Sequence, residues 1–187
     1  MSSAGSIATL ITLLCGLMLA DLFASMHRLI RNRKRVRFHW LPLFTAWYVL
    51  IIILKNWWGL VFQGGDEVGV SGWLFFYYAH LLFLFYLVVS AVLPDEIPES
   101  GLDLKEFYLE NRLYLWGLLA CVNFLLLLAT LLRPVFTGDP FSWFPVVANT
   151  LMLGINLSLA FVRRILYHAV IVSLVFVLVV LEVYGSL

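Results

Sequence analysis

Charge is scarce in this chain. Asp, Glu, Lys and Arg make up 12% of its 187 residues, where a soluble domain carries about 25%. Hydrophobic side chains make up 63%, and the mean hydropathy is +0.99. A soluble globule is excluded, and no polar stretch is long enough to fold as a sizeable soluble domain. The net charge of +1 offers no broad basic field to a nucleic acid. Cysteine is rare too. Cys15 and Cys121 both lie inside apolar runs, where a thiol behaves as a small apolar side chain. A disulfide framework or a zinc site needs more ligands at closer spacing. There is no His-rich metal box, no Ser/His pair at recognisable spacing and no phosphate-binding loop. No catalytic, cofactor or metal residue is assigned, and the sequence points away from an enzyme. No basic residue precedes the first apolar run, as a secretory signal would require.

What is present is organised around His27 to His39. This run holds Arg28, Arg31, Arg33, Lys34, Arg35 and Arg37, half of the 12 Lys and Arg, with no acid among them. Apolar segments of about 20 residues flank it, the length of a membrane-crossing helix. A basic run between two such segments marks a cytoplasmic loop. The expected fold is therefore all-α. It is a polytopic transmembrane bundle of six spans in one membrane domain, at about 6–26, 40–62, 73–93, 113–132, 141–162 and 165–184. Loop 27–39 is basic and cytoplasmic, and both termini lie on the non-cytoplasmic side. The second cytoplasmic loop, 94–112, is acidic and placed to pair with the first. In it, Asp103 has N-cap spacing to Glu106. The stretch after it reads as a short interfacial helix or as an extension of the fourth span, which ends at Arg133-Pro134. Only Arg163-Arg164 separates the last two spans. A single helix of more than 40 residues would be about 60 Å long, twice the apolar core, so a tight turn is expected there.

Polar residues inside the spans are costly and normally face a partner or a wet cavity. They are Asp21, Lys55, His80, Asn123, Asn149, Asn156, His168 and Glu182. Depth sorts them into an inner group (Asp21, Asn156, His168) and an outer group (Lys55, His80, Glu182), with Asn123 and Asn149 near the midplane. The inner cluster is expected to pair Asp21 with His168 or an arginine, and the outer one to pair Lys55 with Glu182. A lone histidine such as His80 is ordinarily a packing residue, although it titrates near neutral pH. Trp40, Trp57 and Trp58 fit interfacial belts. The aromatic run from Trp73 to Tyr86 reads as a packing surface. Gly16, Ala20 and Ala24 permit close helix approach.

The run GLMLADLFASMHRLIRNRKRVRFHWLPLF, followed by NWWGLVF, resembles a family of small polytopic bacterial membrane proteins. Shared features are a carboxylate after Leu-Ala, a basic loop, Trp with Pro two residues on, and paired Trp. The segment LPDEIPESGLDLKEFYLENR resembles theirs as well. The resemblance implies an integral protein of the bacterial inner membrane and carries no activity with it.

Besides an intramembrane enzyme or cofactor carrier, for which no residue set speaks, two functions fit these residues. One is a homo-oligomeric channel or small transporter for ions or protons, with Asp21, His80, His168 and Glu182 along the path. The other is a non-transporting sensor, anchor or assembly partner, working through the acidic loop and the aromatic third span. In both, the partner is the lipid bilayer, with anionic lipids at Arg28, Arg31, Arg33, Lys34, Arg35 and Arg37.

Overall fold

A computed structural model describes residues 3–63, 72–137 and 140–185. The expected outer loop 63–72 falls almost wholly outside the described residues. The elements are α1 (Ser3–Arg31), β1 (Val36–Arg37), α2 (Trp40–Trp58), continued by a π-helical turn (Gly59–Gln63), α3 (Gly72–Val92), β2 (Leu102–Asp103), α4 (Leu104–Thr137), α5 (Trp143–Phe161) and α6 (Ile165–Gly185). Six of the helices are long and apolar enough to cross a membrane. Their outward faces agree with that: Phe144 is 82% exposed and Leu166 78%, a pattern that water would not tolerate.

The helices follow from apolar spacing. In α1 the buried residues are Ile11, Cys15, Met18, Leu22, Ser25 and Leu29. They recur at alternating intervals of four and three, the seam of a left-handed helix pair. That seam packs α1 against α2 and α3. The Trp57 indole donates to the Thr12 hydroxyl across the α1–α2 contact at 3.1 Å. The helix outruns the expected first span and carries Arg28 and Arg31 into its last turn, where cations suit the C-terminal dipole. The basic loop is thus helical for its first third. In α2, the His39 ring accepts from the Leu41 N–H, and Pro42 falls in the first turn, where a missing N–H costs little.

Helix α4 decides between two alternatives and corrects one expectation. It is one rod of 34 residues, so the interfacial segment is an extension of the fourth span. It also passes Arg133-Pro134 and ends at Thr137. A proline so close to the end removes one backbone bond, and only three residues follow it. Asp103 does cap α4: its carboxylate accepts from the Lys105 and Glu106 N–H groups at 2.9 and 3.3 Å. The expected turn between the last spans is present, with residues 162–164 outside both helices. The α4–α5 hairpin is the most extensive helix pair, and α2 is the shared neighbour of α1, α3, α4 and α6.

Connections 32–39, 93–103 and 162–164 gather at one end of the bundle, called here the basic end. There β1 and β2 pair in parallel, Val36 with Leu102 and Arg37 with Asp103. Ion pairs Arg28–Asp95 at 3.2 Å and Arg37–Asp103 at 3.5 Å flank that pairing. Gly101 makes it possible. Its φ of 94° is left-handed, and an added Cβ would stand 3.0 Å from the Arg35 carbonyl oxygen. Only glycine meets both demands without strain. Gly101→Ala is expected to weaken the clasp by about 1–2 kcal/mol. Trypsin should then cut between Arg33 and Arg37 about tenfold faster, while the melting of the helices changes little.

Candidate polar sites within the helical bundle

The most connected polar group lies at the basic end of α4 and α6. Both helices bury their apolar faces there. Leu104, Tyr108, Leu115 and Leu119 point inward from α4, and His168, three residues into α6, points back at them. His168 is 0% exposed. Its Nδ1 lies 2.9 Å from the Tyr108 hydroxyl and its Nε2 lies 2.8 Å from the Val162 carbonyl. A carbonyl only accepts, so Nε2 carries the proton. Nδ1 is then the acceptor, and the Tyr108 hydroxyl donates to it. The Trp116 indole donates in turn to the same hydroxyl at 3.2 Å. The chain of bonds is directional: Trp116 to Tyr108 to His168 to the Val162 carbonyl. Its last link satisfies a carbonyl freed by the break between α5 and α6. Beside it, the Tyr167 hydroxyl donates to Ser158 across the same turn at 2.8 Å.

At the opposite end, Lys55 of α2 and Glu182 of α6 form an ion pair, Nζ to Oε2, at 2.6 Å. That is the expected outer pair. The inner pair is different. His168 bonds to Tyr108 and Val162, and Asp21 lies elsewhere. Asp21 sits on α1, half-buried at the edge of the seam, and α1 packs on α2 and α3 while α6 packs on α2. Among the described residues Asp21 has no hydrogen-bond or ion-pair partner. Arg28 cannot serve it, because its guanidinium is turned to Ser25 Oγ and Asp95.

The remaining candidates bond locally. Asn123 donates to the Leu119 carbonyl of its own helix at 3.0 Å, and Asn156, 1% exposed, reaches the same carbonyl from α5 at 3.4 Å. Asn149 donates to Thr130 Oγ1 at 3.2 Å. These two asparagines tie α5 to α4. His80 is exposed, and its Nδ1 lies 2.6 Å from the Phe76 carbonyl in the turn before it. Residues 123, 149 and 156 therefore do not bridge the inner and outer groups. They fasten one helical hairpin.

No family model matches this chain, and neither a curated protein nor a solved structure matches it. The likeness carried by residues 16–62 and 93–112 stays a resemblance.

Sequence reasoning passed over Tyr108, Trp116 and Asn111. Asn111 donates to the Ala91 carbonyl at the end of α3. All three fall in or next to a stretch whose charges suggested a loop. A signal was there: Leu104, Tyr108, Leu115, Leu119 and Val122 continue one helical face through it. Among the described residues outside the apolar helices, Asp103 is the charged group whose titration is shifted. The Glu106 N–H it accepts, then the Lys105 N–H and the nearby Arg37, hold its carboxyl below the ordinary 3.8. Among the described residues, no three His, Cys, Asp or Glu side chains gather as a metal site.

Proposed function

We propose that this chain is a multi-pass protein of the bacterial inner membrane, with the basic end in the cytoplasm, that serves as a non-transporting anchor or assembly partner. Its working surfaces are the acidic strap 93–103 and the aromatic face of α3. One observation carries this reading. Lys55, Asn149, Asn156 and His168 are each bonded to a neighbouring helix or turn of the same chain. Polar groups used up in this way hold helices together, each bond contributing roughly 0.6–2 kcal/mol in lipid, and leave no ladder for an ion to follow. On the strap, Glu96 and Glu99 are exposed and available to a basic partner.

A second reading keeps the homo-oligomeric channel or transporter. Asp21 favours it: a carboxylate within a span needs a partner or water, and a second copy would supply one. Purified protein in liposomes decides between the two. The expected result is no flux of H⁺, Na⁺, K⁺ or Cl⁻ above empty vesicles. A proton flux that Asp21→Asn abolishes would replace the anchor reading with the transport one.

A further inference from the structure

We propose that the turn from Ile30 to Arg35 is a binding site for the phosphates of an anionic phospholipid, and that it favours a headgroup with two of them. The site would serve an anchor or a transporter alike, so it does not rest on the choice between them.

The structure sorts the six basic residues of this region into two kinds. The outermost, Arg28 and Arg37, are held by Asp95 and Asp103. The middle four, Arg31, Arg33, Lys34 and Arg35, are exposed and meet no acid among the described residues. Together with Ile30 and Asn32 they line an open concavity of about 540 Å³. Four uncompensated cations around one hollow repel each other, and a bound anion relieves that. A single phosphodiester carries one negative charge; a headgroup with two carries twice the complement.

The hollow is built before any ligand arrives. The Asn32 backbone and side-chain N–H groups both donate to the Arg28 carbonyl, at 3.0 and 2.9 Å. The Arg35 N–H donates to the Asn32 carbonyl at 2.8 Å, and the Leu102 N–H donates to the Arg35 carbonyl at 2.9 Å. The strap thus fixes the far side of the turn, so the backbone adds little ordering cost to binding.

The surroundings point to a lipid over a soluble phosphate. Ile30, in the lining of the hollow, is 59% exposed, and Phe38 and Trp40, a few residues further along the chain, are 47% and 52% exposed. Trp40 opens an apolar helix, the place where tryptophan marks headgroup depth. A ligand with apolar chains and phosphates side by side matches a surface with both.

Native mass spectrometry of the detergent-solubilised full chain tests this. The probes are tetraoleoyl cardiolipin, dioleoyl phosphatidylglycerol, dioleoyl phosphatidylcholine and inorganic phosphate. Cardiolipin is expected to bind saturably and about tenfold tighter than phosphatidylglycerol, with no saturable phosphatidylcholine. Replacing Arg33→Gln and Arg35→Gln together should weaken cardiolipin about 30-fold, from roughly a fivefold loss per cation near a membrane surface. Arg33→Lys with Arg35→Lys should retain most of the binding. The control removes the same charge at the same end, Arg163→Gln with Arg164→Gln, and should change binding less than threefold. An equal loss in that control would overturn the site in favour of general attraction. Full displacement by 10 mM inorganic phosphate would make it a free-anion site and overturn the lipid assignment. If the double glutamine variant does not fold, Arg33→Gln and Arg35→Gln are read singly. About a fivefold loss of cardiolipin binding in each supports the proposal, and a loss under about twofold in both overturns it.

Discussion

Replacing His168 with leucine is expected to destabilise the protein by about 2–5 kcal/mol. Leucine has a similar bulk, so little space is lost. What is lost is hydrogen bonding. The part-buried Val162 carbonyl loses its donor and the buried Tyr108 hydroxyl loses its acceptor; a buried orphan costs about 1–3 kcal/mol and a part-buried one less. The damage is directional. Tyr108→Phe removes the acceptor of Trp116 and the donor to His168 but leaves the Val162 bond whole. It orphans two buried groups, the Trp116 N–H and the His168 Nδ1, and should therefore cost about as much as His168→Leu. Reversible unfolding in mixed micelles reads both variants. A cost of under 1 kcal/mol for His168→Leu would show that the α5–α6 turn holds without the ring.

The second large effect is expected at Trp116. It is 1% exposed, among the largest fully buried side chains, and its ring lies 6.3 Å from Tyr48 and 6.4 Å from His168. Trp116→Ala opens a cavity where α2, α4 and α6 meet, and core truncations of this size cost about 3–5 kcal/mol. Trp143, 72% exposed at the start of α5, provides the comparison. Trp143 meets the exposed Phe141 ring at 4.8 Å but fills no buried space, and Trp143→Ala should change stability by less than about 1 kcal/mol. Equal costs at the two positions would mean that Trp116 is not packed between Tyr48 and His168.

Much of the architecture is legible in the residues, because a bilayer constrains it strongly. Six apolar stretches, a basic run and an Arg-Arg break are enough to count helices. Depth alone brought Lys55 to Glu182, since each sits one turn from the end of its span. Depth failed for Asp21 and His168. Two residues at one level meet only if their helices are neighbours, and adjacency is set by packing faces that composition does not reveal. Helix α1 turns its seam to α2 and α3, so Asp21 and His168 stay apart. The length of α4 stayed open because the polar run Lys105, Glu106, Glu110, Asn111 and Arg112 suits a separate interfacial helix as well as an extension of the span, although Tyr108 keeps the helical face beneath it. The β1–β2 pairing was invisible for a different reason. Strands of two residues show no alternation, and only the left-handed Gly101, read beside Arg35, betrays the contact.

The claim on which the rest depends is that Lys55, Asn149, Asn156 and His168 are used up by partners of the same chain, in a dry core. Nitrogen-15 solid-state NMR of His168 in lipid at pH 7.5 tests this most directly. The predicted result is one neutral tautomer, protonated at Nε2 and bare at Nδ1, with no polarisation transfer from water to the ring. A ring that exchanges protons with water, or that carries its proton on Nδ1, would contradict it.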